Sequence, residues 1–341
     1  MRCSSRALRR LAGGALSLLL TAGVLPGLAR PAAGDQTLPA DDGARIKAET
    51  WIDSRTVDLT VTTPAIGDDE MIRVIVPPGW SPTASRTWPV VYAYQGGNDD
   101  YLSWVRGSQI SDLAAQWGVL VVMPSGGKSG GFSDWWNYGK GGTPKWETFH
   151  TTEVLQLLER NYHAGTRRAA LGVSSGGQGA IAYAARHRGM FTYAASFSGL
   201  LHISSAPIQW TLMLQGVTFN SDPFAVWGVP GFDDANWKAH DPYELADKLR
   251  GTELYISSGT TGLPGPLDDP SKTPPDSNLY GATGELIVGS TAKDFVARLQ
   301  RLGIPATTHL YGDGWHNWNY WRRELATEWP LMMKALGAEK V

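Results

Sequence analysis

The chain has 341 residues, 42% of them apolar and 18% charged, with 40 Gly, 15 Trp and a single Cys. That length and apolar content exclude a disordered chain and supply a sizeable core, while one cysteine excludes a disulfide scaffold or a zinc ribbon. A formal charge of −2 leaves no basic footprint for nucleic acid.

In chain order, the first segment reads as a processing signal. Arg2, Arg6, Arg9 and Arg10 precede an apolar stretch over residues 11–25, and Pro26 leads on to Ala29, Ala32, Ala33 and Gly34. A positive region, an apolar run and small residues in that order predict a secretory signal peptide over 1–34. Fifteen residues fall short of the ~20 that cross a bilayer, so no stable membrane span is expected. Arg9-Arg10 is compatible with twin-arginine export, but its surroundings favour the Sec route. Cleavage there removes Cys3 and five Arg, leaving 25 basic against 32 acidic residues, a charge of −7. Such a charge suits solubility outside the cell and disfavours nucleic acid and anionic lipid as partners.

Residues 35–50 are polar and are expected as a flexible lead-in, followed by a single α/β domain over 51–341. Apolar, β-branched runs predict strands at 56–62, 71–76, 90–94, 119–123, 169–173, 193–197, 253–257 and 307–311. Helical patterns lie at 151–162, 178–187 and 286–302. In the last of these, Val288, Ala292, Phe295, Val296, Leu299 and Leu302 recur at helical spacing before Gly303 and Pro305. Strands alternating with helices predict a mainly parallel sheet covered on both faces. The segment 200–250, rich in Trp, Phe, Met, Gly and Pro, breaks the alternation and reads as an insertion over the active site. Within it the run Trp210-Thr211-Leu212-Met213-Leu214, followed by Val217 and Phe219, either lines an apolar path for a substrate or packs the insertion onto the sheet. The tract 264–275 is a second long, Pro-rich loop.

The chemical signal is Gly172-Val173-Ser174-Ser175-Gly176-Gly177, set between a predicted strand and a predicted helix. A Gly-x-Ser-x-Gly turn in that context holds a serine in a strained, exposed position, whereas the motif alone is weak. Gly127–Gly131, centred on Ser129, also matches it but has no helical pattern behind it. A serine hydroxyl needs a base, and the base an acid to orient it, in the chain order Ser, acid, His. Three histidines follow Ser174 at a useful distance. His240 carries no further signal; His309 alternates within a strand; His316 sits in a Gly-rich loop between Trp315 and Trp318. Asp268, Asp269, Asp276 and Glu285 all lie between Ser174 and His316, and pattern does not choose among them. Asp134 and Glu147 read as local caps.

Several tracts resemble the antigen 85 mycolyltransferases: Tyr101–Trp104, Val121–Pro124, Ser133–Trp135 and Lys145–Phe149, then the elbow, Asp241-Pro242 and His316-x-Trp318-x-Tyr320-Trp321. The resemblance runs in order from about Glu70 to Leu336 and takes in Trp104, Trp135, Trp136, Trp146, Trp318 and Trp321. It implies an α/β-hydrolase fold and an acyltransferase that moves a long, mycolyl-type acyl group from an acyl glycolipid donor to a sugar acceptor. A secreted carboxylesterase using the same triad is the alternative. It further implies Ser174 as nucleophile, His316 as base, Glu285 just ahead of its helix as acid, and the N–H groups of Gly97 and Ser175 as the oxyanion hole. Trp318 matches a residue lining the sugar site, and Gln95 occupies the place of a sugar-binding aspartate. Here the chain departs from the family, since Gln95–Asp100 has neither that aspartate nor its companion arginine, and the family's cysteine near the insertion is missing. The resemblance implies a secreted or cell-wall-associated enzyme with no cofactor and no metal.

Overall fold

The computed structural model describes residues 37–218, 221–272 and 274–341; the signal-peptide segment lies outside them. Among the described residues the strands are β1 (Arg45–Trp51), β2 (Thr56–Thr63), β3 (Asp68–Ile75), β4 (Trp88–Tyr94), β5 (Leu120–Pro124), β6 (Ala164–Val173), β7 (Tyr193–Phe197), β8 (Glu253–Gly259) and β9 (Thr307–Gly312). They form one sheet in the order β1-β2-β3-β5-β4-β6-β7-β8-β9. The β1–β2, β2–β3 and β3–β5 pairs are antiparallel, and every pair from β5 to β9 is parallel.

The helices are α1 (Ser103–Gly107), α2 (Ile110–Ala114), α3 (Trp146–Thr148), α4 (Val154–Tyr162), α5 (Ser175–Arg186), α6 (Ala206–Thr218), α7 (Asp234–Ala239), α8 (Pro275–Leu302) and α9 (Trp318–Leu336). A parallel sheet must be buried on both faces, and β4, β5 and β7 are buried at every residue. Their side chains alternate between two cores. Val91, Val121 and Leu171 pack with Trp104, Leu325 and Trp329 of α1 and α9. Tyr92, Val122 and Ala170 pack with Leu158, Ile181 and Phe295 of α4, α5 and α8. No helix among the described residues is long and apolar enough to cross a membrane.

Three expectations are corrected. The lead-in over 35–50 contains β1, an edge strand paired with β2, with Ile46 buried and Arg45 and Lys47 exposed. Charged residues on the outer strand are how sheet edges avoid pairing with other chains, and that polarity hides the strand from a hydrophobic pattern. Helix α8 begins eleven residues before the predicted start at 286, so Glu285 lies inside the helix rather than ahead of it. The apolar count misses its first turns because Gly281 and Gly284 interrupt them. A Cβ on Gly281 would meet Trp315 Cβ at 3.2 Å, and one on Gly284 would meet His316 Cβ at 3.4 Å. Those glycines let the His316 loop lie directly on the helix.

The 200–250 insertion carries α6 and α7 around a small core of Ile203, Met213, Trp227 and Trp237. Buried Asp241 fastens its base, accepting the Ser204 N–H at 2.9 Å and the Tyr243 N–H at 3.0 Å.

Candidate active site

The site lies where the parallel strands end at their C-terminal edge, the usual place for ligands in such sheets. The β6–α5 turn has room for nothing larger than glycine at two points. A Cβ on Gly172 would approach Gly176 O to 2.1 Å, and one on Gly176 would approach Gln95 O to 2.3 Å. Between them Ser174 adopts φ 55° and ψ −124°. That conformation is strained for a serine and is held by its N–H, which donates to Phe197 O at 2.9 Å.

Opposite the elbow, the ends of β8 and β9 and the interior of α8 bring an acid to a base. His316 Nδ1 lies 2.7 Å from Glu285 Oε2, with the imidazole 6% exposed and the carboxylate fully buried. A carboxylate on Nδ1 fixes the tautomer that leaves Nε2 as the acceptor. Glu285 Oε1 is held in turn by the hydroxyls of Ser198 at 2.9 Å and Tyr311 at 3.1 Å and by the Gly259 N–H. Trp321 packs edge-on against His316 at 4.9 Å and donates its indole N–H to Ser198 Oγ at 3.0 Å. Of the acid candidates, only Glu285 reaches His316. Asp269 pairs with Lys272 at the surface, Asp276 lies in the first turn of α8, and Asp268 binds the backbone of the His316 loop. His309 pairs instead with Glu324 at 2.9 Å, and His240 is buried against Asn236 O.

Ser174 and His316 line one cavity of about 240 Å³. One wall is the polar edge of Gly97, Asn98 and the Gly127–Gly131 loop; the other is apolar, with Ile203, Leu212, Met213, Val226, Ile287 and Val288. Gly97 and Ser175 flank the nucleophile, a Cβ on Gly97 falling 3.6 Å from Ser175 Oγ. Neither of their N–H groups donates a hydrogen bond within the described residues, and Ser175 opens α5, where helix N–H groups are unpaired and favour negative charge. Ser129 lines the same cavity, but only a short turn follows its loop.

Of the residues expected to contact substrate, Leu212 and Met213 line this cavity, whereas Gln95, Trp210, Leu214, Val217 and Trp318 do not; Phe219 lies outside the described residues. Trp210 and Leu214 are 66% and 69% exposed; on α6 it is Ile208, Thr211, Leu212 and Met213 that face inward. A helix apolar on both faces gives no periodic sign of which side is buried. Trp318 stacks edge-on against Trp104 and Trp321, at 5.3 and 5.1 Å, behind His316. Gln95 is buried and ties two loops together: its Nε2 donates to Asp99 O at 2.6 Å and Gly127 O at 3.3 Å, and its Oε1 accepts the Gly126 N–H at 3.2 Å. The Asn98 N–H adds a bond to Lys128 O at 2.9 Å. Sequence reasoning missed this brace between the oxyanion loop and the glycine-rich loop. Its one trace was an amide where the family places a carboxylate. Neither Asp134 nor Glu147 is a local cap: Asp134 accepts the Thr148 N–H at 2.9 Å and its hydroxyl at 2.6 Å from fourteen residues away, and buried Glu147 binds Arg186 and His187 across to α5.

The sequence model of the Esterase family matches residues 63–332. The chain is 30% identical over 342 residues to the diacylglycerol acyltransferase/mycolyltransferase Ag85B of Mycolicibacterium smegmatis, with 96% of each chain covered. It is also 30% identical over 274 residues to an esterase of Mycobacterium tuberculosis, covering 78% of this chain and 57% of that relative. The chain thus spans little more than half the length of that esterase. Among solved structures, MPT51 of Mycobacterium tuberculosis matches with a TM-score of 0.69 at 23% identity, covering 83% of this chain and 100% of that one. That likeness places the sheet and its helices in the α/β-hydrolase fold.

Proposed function

This chain belongs to the esterase family that includes the antigen 85 acyltransferases, and from that premise we propose that it is an exported serine acyltransferase working through an acyl-enzyme. The observation that carries the reading is the His316–Glu285 pair at 2.7 Å sharing one half-apolar cavity with Ser174. In the proposed mechanism His316 Nε2 takes the Ser174 proton as Oγ attacks the ester carbonyl. The Gly97 and Ser175 N–H groups receive the oxyanion. Protonated His316 then hands its proton to the departing alcohol, leaving the acyl group on Ser174 and its chain along Met213, Ile287 and Val288. A sugar hydroxyl, deprotonated by His316, attacks the acyl-enzyme and restores the serine. Donor and acceptor in this reading are an acyl glycolipid and a sugar, as the resemblance in the sequence implies, and the acyl group is of the mycolyl type that the relative's name carries. The order of charge, apolar run and small residues over 1–34 supports export to the cell envelope.

One observation favours the hydrolytic alternative, in which water takes the place of the sugar. The side chain at Gln95 is spent on loop contacts, and Arg106 turns to Asp99 and Asp100. Product analysis with a short-acyl glycolipid donor, with and without free trehalose, separates the two. Acyl-trehalose formed only when trehalose is added supports transfer; free fatty acid alone in both arms makes the chain an esterase.

A further inference from the structure

We propose that Asp268, on the loop between β8 and α8, is a positioning residue for His316 that acts through the two residues flanking the imidazole. The inference rests on His316 being the base of the proposed reaction. Glu285 fixes the ring at Nδ1, but a ring carried on a loop also needs its backbone fixed. The His316 loop is poorly fixed by its own sequence, with Gly312 at φ 77° and Gly314 at φ 154°.

The Asp268 carboxylate supplies what the loop lacks. Its Oδ2 accepts the Trp315 N–H at 3.1 Å, the Gly265 N–H at 2.8 Å and the Tyr320 hydroxyl at 2.9 Å. Its Oδ1 accepts the side-chain amide of Asn317 at 2.8 Å. One carboxylate therefore holds the residue before His316, the residue after it and the first turn of α9. Neighbouring contacts run the same way: the Gly314 N–H donates to Leu263 O at 2.8 Å and the Trp315 indole to Gly262 O at 3.1 Å. Asn317 meanwhile caps α9, its Oδ1 accepting the Asn319 N–H at 2.9 Å.

Every partner of the Asp268 carboxylate is a donor, and this makes the arrangement sensitive to single atoms. In Asp268→Asn the new oxygen can replace Oδ2, but the new NH₂ then faces the NH₂ of Asn317, donor against donor. In Asn317→Asp two carboxylates face each other. The double variant Asp268→Asn/Asn317→Asp reverses the polarity of the pair and restores it. The carboxylate then at position 317 would accept from the amide at position 268 while still capping α9, for which aspartate serves as well as asparagine.

The test uses the full chain with a short-acyl nitrophenyl ester and a fluorophosphonate that titrates reactive serine. Each single variant should lose roughly 10–100-fold in kcat, the scale of a slightly misplaced catalytic group, with KM nearly unchanged. Fluorophosphonate labelling should slow in parallel, and the double variant should recover most of both losses. Active-site titration sets the rate per competent site, so partial misfolding does not imitate the effect. Wild-type kcat and labelling in either single variant, or a double variant no faster than the slower single one, overturns the inference. His316→Gln is run alongside. If it loses activity while Asp268→Asn keeps it, positioning by Asp268 fails and the base stands; if it keeps activity, the proposed reaction itself fails.

Discussion

The two sides of the cavity are built by different means. On the sheet side each group is held by several directional bonds: Ser174 by its backbone turn, Glu285 by Ser198, Tyr311 and Gly259, and Gln95 by two loops. On the insertion side Ile203, Leu212, Met213 and Val226 offer apolar surface with few such bonds. Directional bonds fix atoms to within fractions of an ångström, as proton transfer requires. Apolar contacts tolerate changes of shape and volume, as a flexible acyl chain requires. The difference predicts that sheet-side substitutions change kcat, and that insertion-side substitutions change which esters are accepted.

The largest effect is expected at Glu285→Gln, which keeps the shape but loses the acceptor for His316 Nδ1–H. Its kcat should fall about 10³–10⁴-fold, with the fold intact by circular dichroism. A loss below tenfold would place the acid elsewhere. Next is Gln95→Ala, which loosens the loop carrying Gly97 without removing its N–H. We expect kcat/KM to fall about tenfold, and the affinity of a trifluoromethyl ketone to fall with it, because both depend on the oxyanion hole. Unchanged inhibitor affinity would separate Gln95 from that role. On the insertion side Met213→Trp should raise KM for long-acyl esters roughly tenfold while leaving acetyl esters within about threefold. An equal effect on both would mean that the acyl chain does not run along α6.

The same contrast between local and tertiary contacts separates what the sequence carries from what only the fold creates. The nucleophile was legible because its elbow is local, six residues whose glycines serve one turn. Glu285 was one of four candidates by pattern and was singled out only by the resemblance; its place inside the helix was not legible, since Gly281 and Gly284 resemble a helix break and the reason for them, the close approach of Trp315 and His316, is a tertiary contact. The strands β2 to β9 stood out by their apolar runs, whereas β1 was masked by the charges that protect a sheet edge. Trp210 and Leu214 were expected on an apolar path or against the sheet and are on neither, because α6 is apolar all round and their exposure depends on how the insertion folds back. Gln95 was read as a substrate contact because its partners, Asp99, Gly126 and Gly127, meet it only in three dimensions.

The smallest effect lies away from both walls of the cavity. Glu328 of α9 is fully buried. Burial, opposed in part by the Tyr193 hydroxyl and helped by the charge of Glu324, pushes its pKa up to about 8. The folded state therefore favours the protonated form. That stability is complete below the ordinary glutamate pKa and is lost as pH rises through about 8. Glu328→Gln should accordingly raise Tm at about pH 9 more than at about pH 6, with kcat unchanged. An equal shift at both pH values would contradict the buried acid.

The acyl-enzyme is the centre of the account, and trapping it is the most direct measurement. Intact-mass and peptide analysis after reaction with a fluorophosphonate should locate a single adduct on Ser174. Ser174→Ala should lose the adduct and about 10³-fold or more of its esterase turnover. An adduct on Ser129, or a Ser174→Ala variant that keeps near-parental turnover, would contradict the account.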